Sequence, residues 1–147
     1  ISKIYLSFKF NLKEVIFIFF TILLNLVVVV NMMLKNLWGR ARPNDTIEFG
    51  GLDIHTHWFK VSNACETNCS FVSGDASVGF SIILLYFITK KQAFVWLALF
   101  SGFLLGITRI LEGGHFFSDV LLAGLLIFLL SFYQSGFFQK KININVS

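Results

Sequence analysis

An all-α fold, a polytopic bundle of transmembrane helices, is expected from this sequence on three grounds. Of its 147 residues, 56% are hydrophobic and 14% charged, whereas soluble domains carry about 25% charged residues. Mean hydropathy is +0.76. The apolar residues collect into four segments. This composition excludes an ordinary soluble globule, a disordered tail and a collagen-like or coiled-coil rod. The net charge of +4 is scattered between the apolar runs, which excludes a nucleic-acid face.

Taken in order, the chain opens with a polar stretch in which Lys3, Lys9 and Lys13 interrupt every short apolar run, so no signal peptide is recognisable there. The first segment runs from Val15 to Leu34 without a charge, about the 20 residues that a bilayer core requires. The second, Ser73 to Thr89, opens with Ser73, Gly74, Asp75 and Ser77, so its start belongs at an interface or a protein-lined cavity. The third covers Ala93 to Ile110 and the fourth His115 to Tyr133. Lys140 and Lys141 then begin a short tail. Residues 1–147 make a single membrane domain, and a first residue of Ile1 is read as the mark of a fragment or a processed product.

A four-helix path puts Lys3, Lys9, Lys13, Lys90, Lys91, Lys140 and Lys141 on one side, which the positive-inside rule makes cytoplasmic. Residues 35–72 then form an extracytoplasmic loop. It holds Cys65 and Cys69, which pair as a short-loop disulfide or remain two free thiols. His55 and His57 lie in the same loop, but their spacing to the cysteines matches no zinc pattern. Trp38 and Trp58 are placed as interfacial anchors. Asp45, Glu48, Asp53, Glu66 and Glu112 are read as solvated loop acids.

Cations on the outer side run against the rule and need another reason to be there. Lys35 ends segment one, Arg42 follows it and is fixed by Pro43, and Arg109 ends segment three, so all three meet at one membrane face. Ser73 and Gly74 open segment two there, with backbone N–H groups and a helix dipole directed at the same space. Three cations and a helix N-terminus make a phosphate site. Beside it, His115 and Asp119 are one helical turn apart, which places the carboxylate to accept the proton of one ring nitrogen and leaves the other nitrogen to attack phosphorus.

In order and spacing, Lys35-(six residues)-Arg42-Pro43, Ser70-Phe71-Val72-Ser73-Gly74-Asp75 and Thr108-Arg109-(five residues)-His115-(three residues)-Asp119 resemble the three-part signature of the type 2 phosphatidic acid phosphatase and vanadium haloperoxidase superfamily. Within it, Trp38 to Pro43, Asn68 to Gly74 and Gly113 to Asp119 are most similar to bacterial lipid A phosphatases. The resemblance implies a membrane helix bundle with a family core of six helices, the first two preceding Ile1. It implies that Lys35, Arg42, Arg109, Ser73 and the Gly74 amide hold the phosphoryl oxygens, that His115 becomes phosphohistidine and that Asp119 orients it. It implies no cofactor and no metal. The substrate would be a lipid phosphate taken from the bilayer of a bacterial inner membrane, with the site facing the periplasm. Undecaprenyl diphosphate, phosphatidylglycerol phosphate and phosphatidic acid stand as alternatives to lipid A phosphate, and a non-catalytic lipid-phosphate binder or transporter as an alternative of another class.

Two positions depart from the family pattern. Val72 stands where proline is usual, and Asp75 stands where the family has the histidine that protonates the leaving oxygen. Asp75 serves as that acid only if it is protonated in the substrate complex.

Overall fold

The computed structural model of the protein describes residues 10–144, with side chains described through residue 140; Lys3, Lys9 and the side chain of Lys141 lie outside the described residues. Helix α1 spans Leu12–Leu37. It starts three residues before the uncharged run because Asn11 and Glu14 form a capping box. The Asn11 side chain accepts from Glu14 N, and the Glu14 carboxylate accepts from Asn11 N, both at 2.9 Å. The polar Asn25 does not face lipid: it exchanges two amide hydrogen bonds with Gln134, at 3.0 and 2.9 Å, as buried amides between membrane helices do.

The second apolar segment is two helices, not one, α2 (Gly74–Phe80) and α3 (Ile83–Thr89). The break falls at Ser81 and Ile82, where the Ser81 hydroxyl donates to Val78 O at 2.6 Å and tightens the turn. Helix α4 spans Ala93–Leu111, and α5 spans Phe117–Ile144. Among the described residues, three helices are long and apolar enough to cross a membrane: α1, α4 and α5 over Phe117–Lys140. The α2–α3 unit, Gly74–Thr89, is shorter. The second segment is thus the short one that its length implies, and the structure adds the break within it. The expected tail at Lys140 is corrected, since α5 continues through it. Gln139 Nε2 donates to Phe87 O at 2.8 Å and holds that end of α5 against α3.

No strand occurs among the described residues; Thr46 and Asp53 form an isolated bridge. The core is built from Val30, Val72, Phe80, Phe87, Val120 and Ile127. Helices α2 and α4 cross in near contact at Gly79 and Gly102. A Cβ on Gly79 would stand 2.6 Å from Gly102 N, so only glycine allows the approach. Ser101 Oγ donates to Gly79 O at 3.0 Å across the same crossing. This closeness brings the start of α2 beside the end of α4.

Chain direction alternates through the bundle. The end of α1, the start of α2, the end of α4 and the start of α5 therefore share one end of the molecule, and Lys13, Lys90, Lys91 and Lys140 sit at the other. The connection from α1 to α2 is tied down over the first of these ends. Cys69 N donates to Lys35 O at 3.1 Å, Ser70 N to Arg40 O at 2.8 Å and Asn44 N to Gly113 O at 3.1 Å. Cys65 and Cys69 form a disulfide within it.

Candidate active site

A polar cavity of about 420 Å³ opens at this end of the bundle, with Lys35, Arg42, Asn68, Asp75, Arg109 and His115 in its wall. Four stretches separated in sequence supply these groups. Lys35 closes the last turn of α1 and donates to Asn68 Oδ1 at 3.3 Å. Arg42 is held by its own loop, with Nε and Nη2 both donating to Asn68 O, at 3.2 and 2.9 Å. The Lys35 ammonium lies against Gly74, where a Cβ would stand 3.3 Å from Nζ. Lysine and arginine can serve the same phosphoryl group here, the arginines through two planar donors each.

Arg109 ends α4 and is already paired. Its Nε donates to Asp75 Oδ2 at 2.6 Å, and its Nη1 to Glu112 Oε2 at 2.5 Å. Glu112, read from the sequence as a solvated loop acid, is thus corrected to a partner of Arg109. Asp75 faces the cavity as the other partner, in the role of a carboxylate.

Ser73 does not line the cavity. It is fully buried and caps α2, with Oγ accepting from Ala76 N at 3.4 Å and its own N donating to Asp119 O at 3.3 Å. Its hydroxyl oxygen accepts as a helix cap and the residue lies outside the cavity wall, which corrects the expectation that it lines the phosphate space.

His115 is 3% exposed. The hydrogen bond that sets its ring is not the expected one. Nδ1 donates to the Ser70 carbonyl at 2.7 Å, while Asp119 Oδ2 stands 3.9 Å away. The one-turn spacing fails because α5 begins at Phe117, so His115 lies in the preceding turn rather than on the helix. That turn is built by Gly113, at φ 68°, with Asn44 packed where a Cβ would have to go. With Nδ1 committed to Ser70, Nε2 carries the lone pair and the ring is the neutral tautomer that a nucleophile needs.

Asp119 acts one step further back. It is fully buried and accepts from Ser70 Oγ at 2.5 Å, Phe116 N at 3.0 Å and Arg40 Nη1 at 2.5 Å. Arg40 is itself 3% exposed. It also donates from Nη1 to Ser118 Oγ and from Nε to Thr56 O, each at 2.9 Å, and its guanidinium sits 4.1 Å over the Phe116 ring. A chain of contacts therefore runs Arg40–Asp119–Ser70–His115. The sequence reading gave neither Arg40 nor Ser70 a place in the site. The signal available was charge alone: Arg40 is an outer-side cation, and a buried charge must be paired.

Burial, with the Lys35 ammonium close by, pushes the His115 imidazole down to about 4, against an opposing pull from the Ser70 carbonyl. A base whose value is lowered from 6.5 to about 4 stays neutral on falling pH until about 4. The acid limb that this group contributes to kcat/KM is therefore expected near pH 4, after allowance for the second ionisation of the phosphate substrate. A pH profile of kcat/KM checks it; a limb near the ordinary histidine value contradicts the assigned environment.

Among the described residues, no group of three or more His, Cys, Asp and Glu is arranged to hold a metal ion. His55 and His57 pack edge-to-face at 5.5 Å, and His55 packs against Phe116 at 5.1 Å.

The model of the PAP2 superfamily matches residues 14–142. The chain is 36% identical over 133 residues to a lipid A 4'-phosphatase of Francisella tularensis subsp. novicida, covering 88% of this chain and 60% of that protein. A lipid A 4'-phosphatase of Rhizobium leguminosarum is 36% identical over 132 residues, with 84% and 57% covered. One of Rhizobium etli is 37% identical over 131 residues, with 84% and 51% covered. The chain thus spans between half and three-fifths of the length of the curated relatives it matches. No solved structure matches it.

Proposed function

The chain belongs to the PAP2 superfamily, and on that premise we propose that it carries the catalytic part of a membrane lipid phosphatase working through a phosphohistidine. The observation that carries this reading is His115. It is buried, held neutral, fixed through Nδ1 and placed in the wall of a cavity that also holds Lys35, Arg42 and Arg109.

The chemistry follows from these groups. Lys35, Arg42 and Arg109 bind the non-bridging oxygens of the phosphoryl group and stabilise the charge that builds on them in transfer. His115 Nε2 attacks phosphorus, and the bond from phosphorus to the lipid oxygen breaks. In the proposed step the phosphoryl group takes Arg109 Nε from Asp75. The freed carboxylate, beside the incoming negative charge, takes a proton from solvent water at the open cavity and passes it to the leaving oxygen. Water then attacks the phosphohistidine, Asp75 takes its proton, and inorganic phosphate leaves with His115 restored.

Lipid A phosphate is the favoured substrate, by the names of the relatives and at the 4' position. The site would face the periplasm, with the lysine-bearing end in the cytoplasm. The test is phosphate release from lipid A carrying only the 4' or only the 1 phosphate, from undecaprenyl diphosphate, from phosphatidylglycerol phosphate and from phosphatidic acid. Fastest release from the 4' monophosphate is expected. Release only from the others overturns the substrate, and release from none overturns the enzyme in favour of a binder.

In the same assay Asp75→Asn is expected to lower kcat on an alkyl phosphate by about 10²-fold or more, and far less on a substrate whose leaving oxygen needs no proton. Full activity of Asp75→Asn on the alkyl phosphate removes the acid role.

A further inference from the structure

The loop over the site carries a second feature that the phosphate chemistry does not use. Ile47, Phe49, Leu52, Ile54, Phe59 and Val61 are all exposed, Leu52 by 94%. Apolar side chains displayed this densely in one short connection mark a surface that meets something apolar.

The segment is not a loose coil. Gly51 N donates to Thr46 O at 2.9 Å, Ile47 N to Asp53 O at 3.0 Å and Asp53 N to Asp45 O at 2.8 Å. Phe49 N and Gly50 N are bonded to Thr46 O and Ile47 O. Thr46 is fully buried beneath the turn, and its hydroxyl donates to Pro43 O at 2.9 Å. A turn that satisfies these amides internally can bring its tip into a low-dielectric layer without leaving those backbone donors unpaired.

It is also fastened to the site and to a span. Arg40 Nε donates to Thr56 O at 2.9 Å, Trp38 Nε1 to Trp58 O at 2.8 Å, and Ser62 N to Trp38 O at 3.0 Å. Trp38 directly follows α1, whose last turns expose Met32, Met33 and Leu37. Trp38 thereby ties the exposed apolar end of that span to the pinned loop at Trp58, an exposed, interface-seeking residue. Glu48, Asp53 and Lys60 lie among the apolar residues and limit the depth to the headgroup level.

We propose that residues 47–61 are a membrane-docking platform that lays Phe49, Leu52 and their neighbours into the leaflet on the site's side of the bilayer. Through Arg40 and Thr56 it fixes the height of the phosphate cavity relative to the lipid headgroups. The occupant is the lipid leaflet itself, because the loop extends a surface that the apolar spans already offer to lipid.

The test places a nitroxide on Leu52→Cys, and separately on Phe49→Cys and Glu66→Cys, with the Cys65–Cys69 disulfide intact. The protein is held in nanodiscs of phosphatidylethanolamine and phosphatidylglycerol. Leu52 touches almost nothing, so its replacement leaves the fold undisturbed. At positions 49 and 52 the collision rate with oxygen is expected to exceed that with a water-soluble nickel chelate several-fold, with the reverse at position 66. Chelate access at 49 and 52 equal to that at 66 places the loop in water and overturns the proposal. Low access to both reagents shows a protein covering, a second copy or another segment, and overturns it equally. None of these readings depends on phosphatase activity.

Discussion

Replacing His115 with Asn abolishes turnover while the protein stays folded. Asparagine can donate its amide N–H to the Ser70 carbonyl as Nδ1 does now, at 2.7 Å, so the buried acceptor is not orphaned. It has no basic ring nitrogen to attack phosphorus, because the amide nitrogen's lone pair is delocalised into the carbonyl. The expected loss in kcat is on the order of 10⁴-fold or more, about 5 kcal/mol of transition-state stabilisation. Phosphate release in nanodiscs measures the loss, and an unchanged Tm in detergent excludes unfolding as its cause. A variant that retains more than a few per cent of activity would mean that water, not His115, attacks the substrate.

The second large effect falls on a residue that never touches the substrate. In Arg40→Met the Asp119 carboxylate keeps Ser70 Oγ and Phe116 N but loses the guanidinium that pairs with it in full burial. Removing one side of a buried pair costs about 3–5 kcal/mol, because the remaining charge is neither solvated nor paired. A corresponding fall in Tm is expected, and adding Asp119→Leu to Arg40→Met should return part of it. As a positioning residue, Arg40 also acts on His115 through Asp119 and Ser70. The milder Arg40→Lys keeps the charge but cannot reach Thr56 O, Ser118 Oγ and Asp119 Oδ1 together. It is expected to lower kcat by about 10–100-fold with KM little changed, the usual range for a group that orients another. Equal loss in kcat and KM, or none, would reduce Arg40 to a purely structural role.

These two residues also mark how far the sequence could be read. Apolar length and the lysines at one end carried the helical bundle. The cations on the opposite end pointed to one cavity, and the structure brings Lys35, Arg42, Arg109 and His115 into its wall. What spacing could not supply was the partner of each charge. Arg40 and Asp119 are far apart in sequence, and although Pro43 marks Arg42, nothing local shows that Arg40, two residues earlier, is buried in a pair. The one-turn relation of His115 to Asp119 misled because the turn at Gly113 delays α5 until Phe117. The break at Ser81 and Ile82 was hidden because both flanks are apolar, and hydropathy does not register a hydroxyl that bonds its own backbone. Arg109 shows the same limit, since its pairing with Asp75 depends on how closely Gly79 and Gly102 let two helices cross.

The proposed mechanism passes through a covalent bond between phosphorus and His115. Protein mixed briefly with lipid A labelled in its 4'-phosphate and quenched in alkali, where a phosphohistidine survives, should carry label on the peptide containing His115. The label should be lost on acidification and be absent from His115→Asn. Release of phosphate without any trapped label, or label that resists acid on another residue, would contradict it.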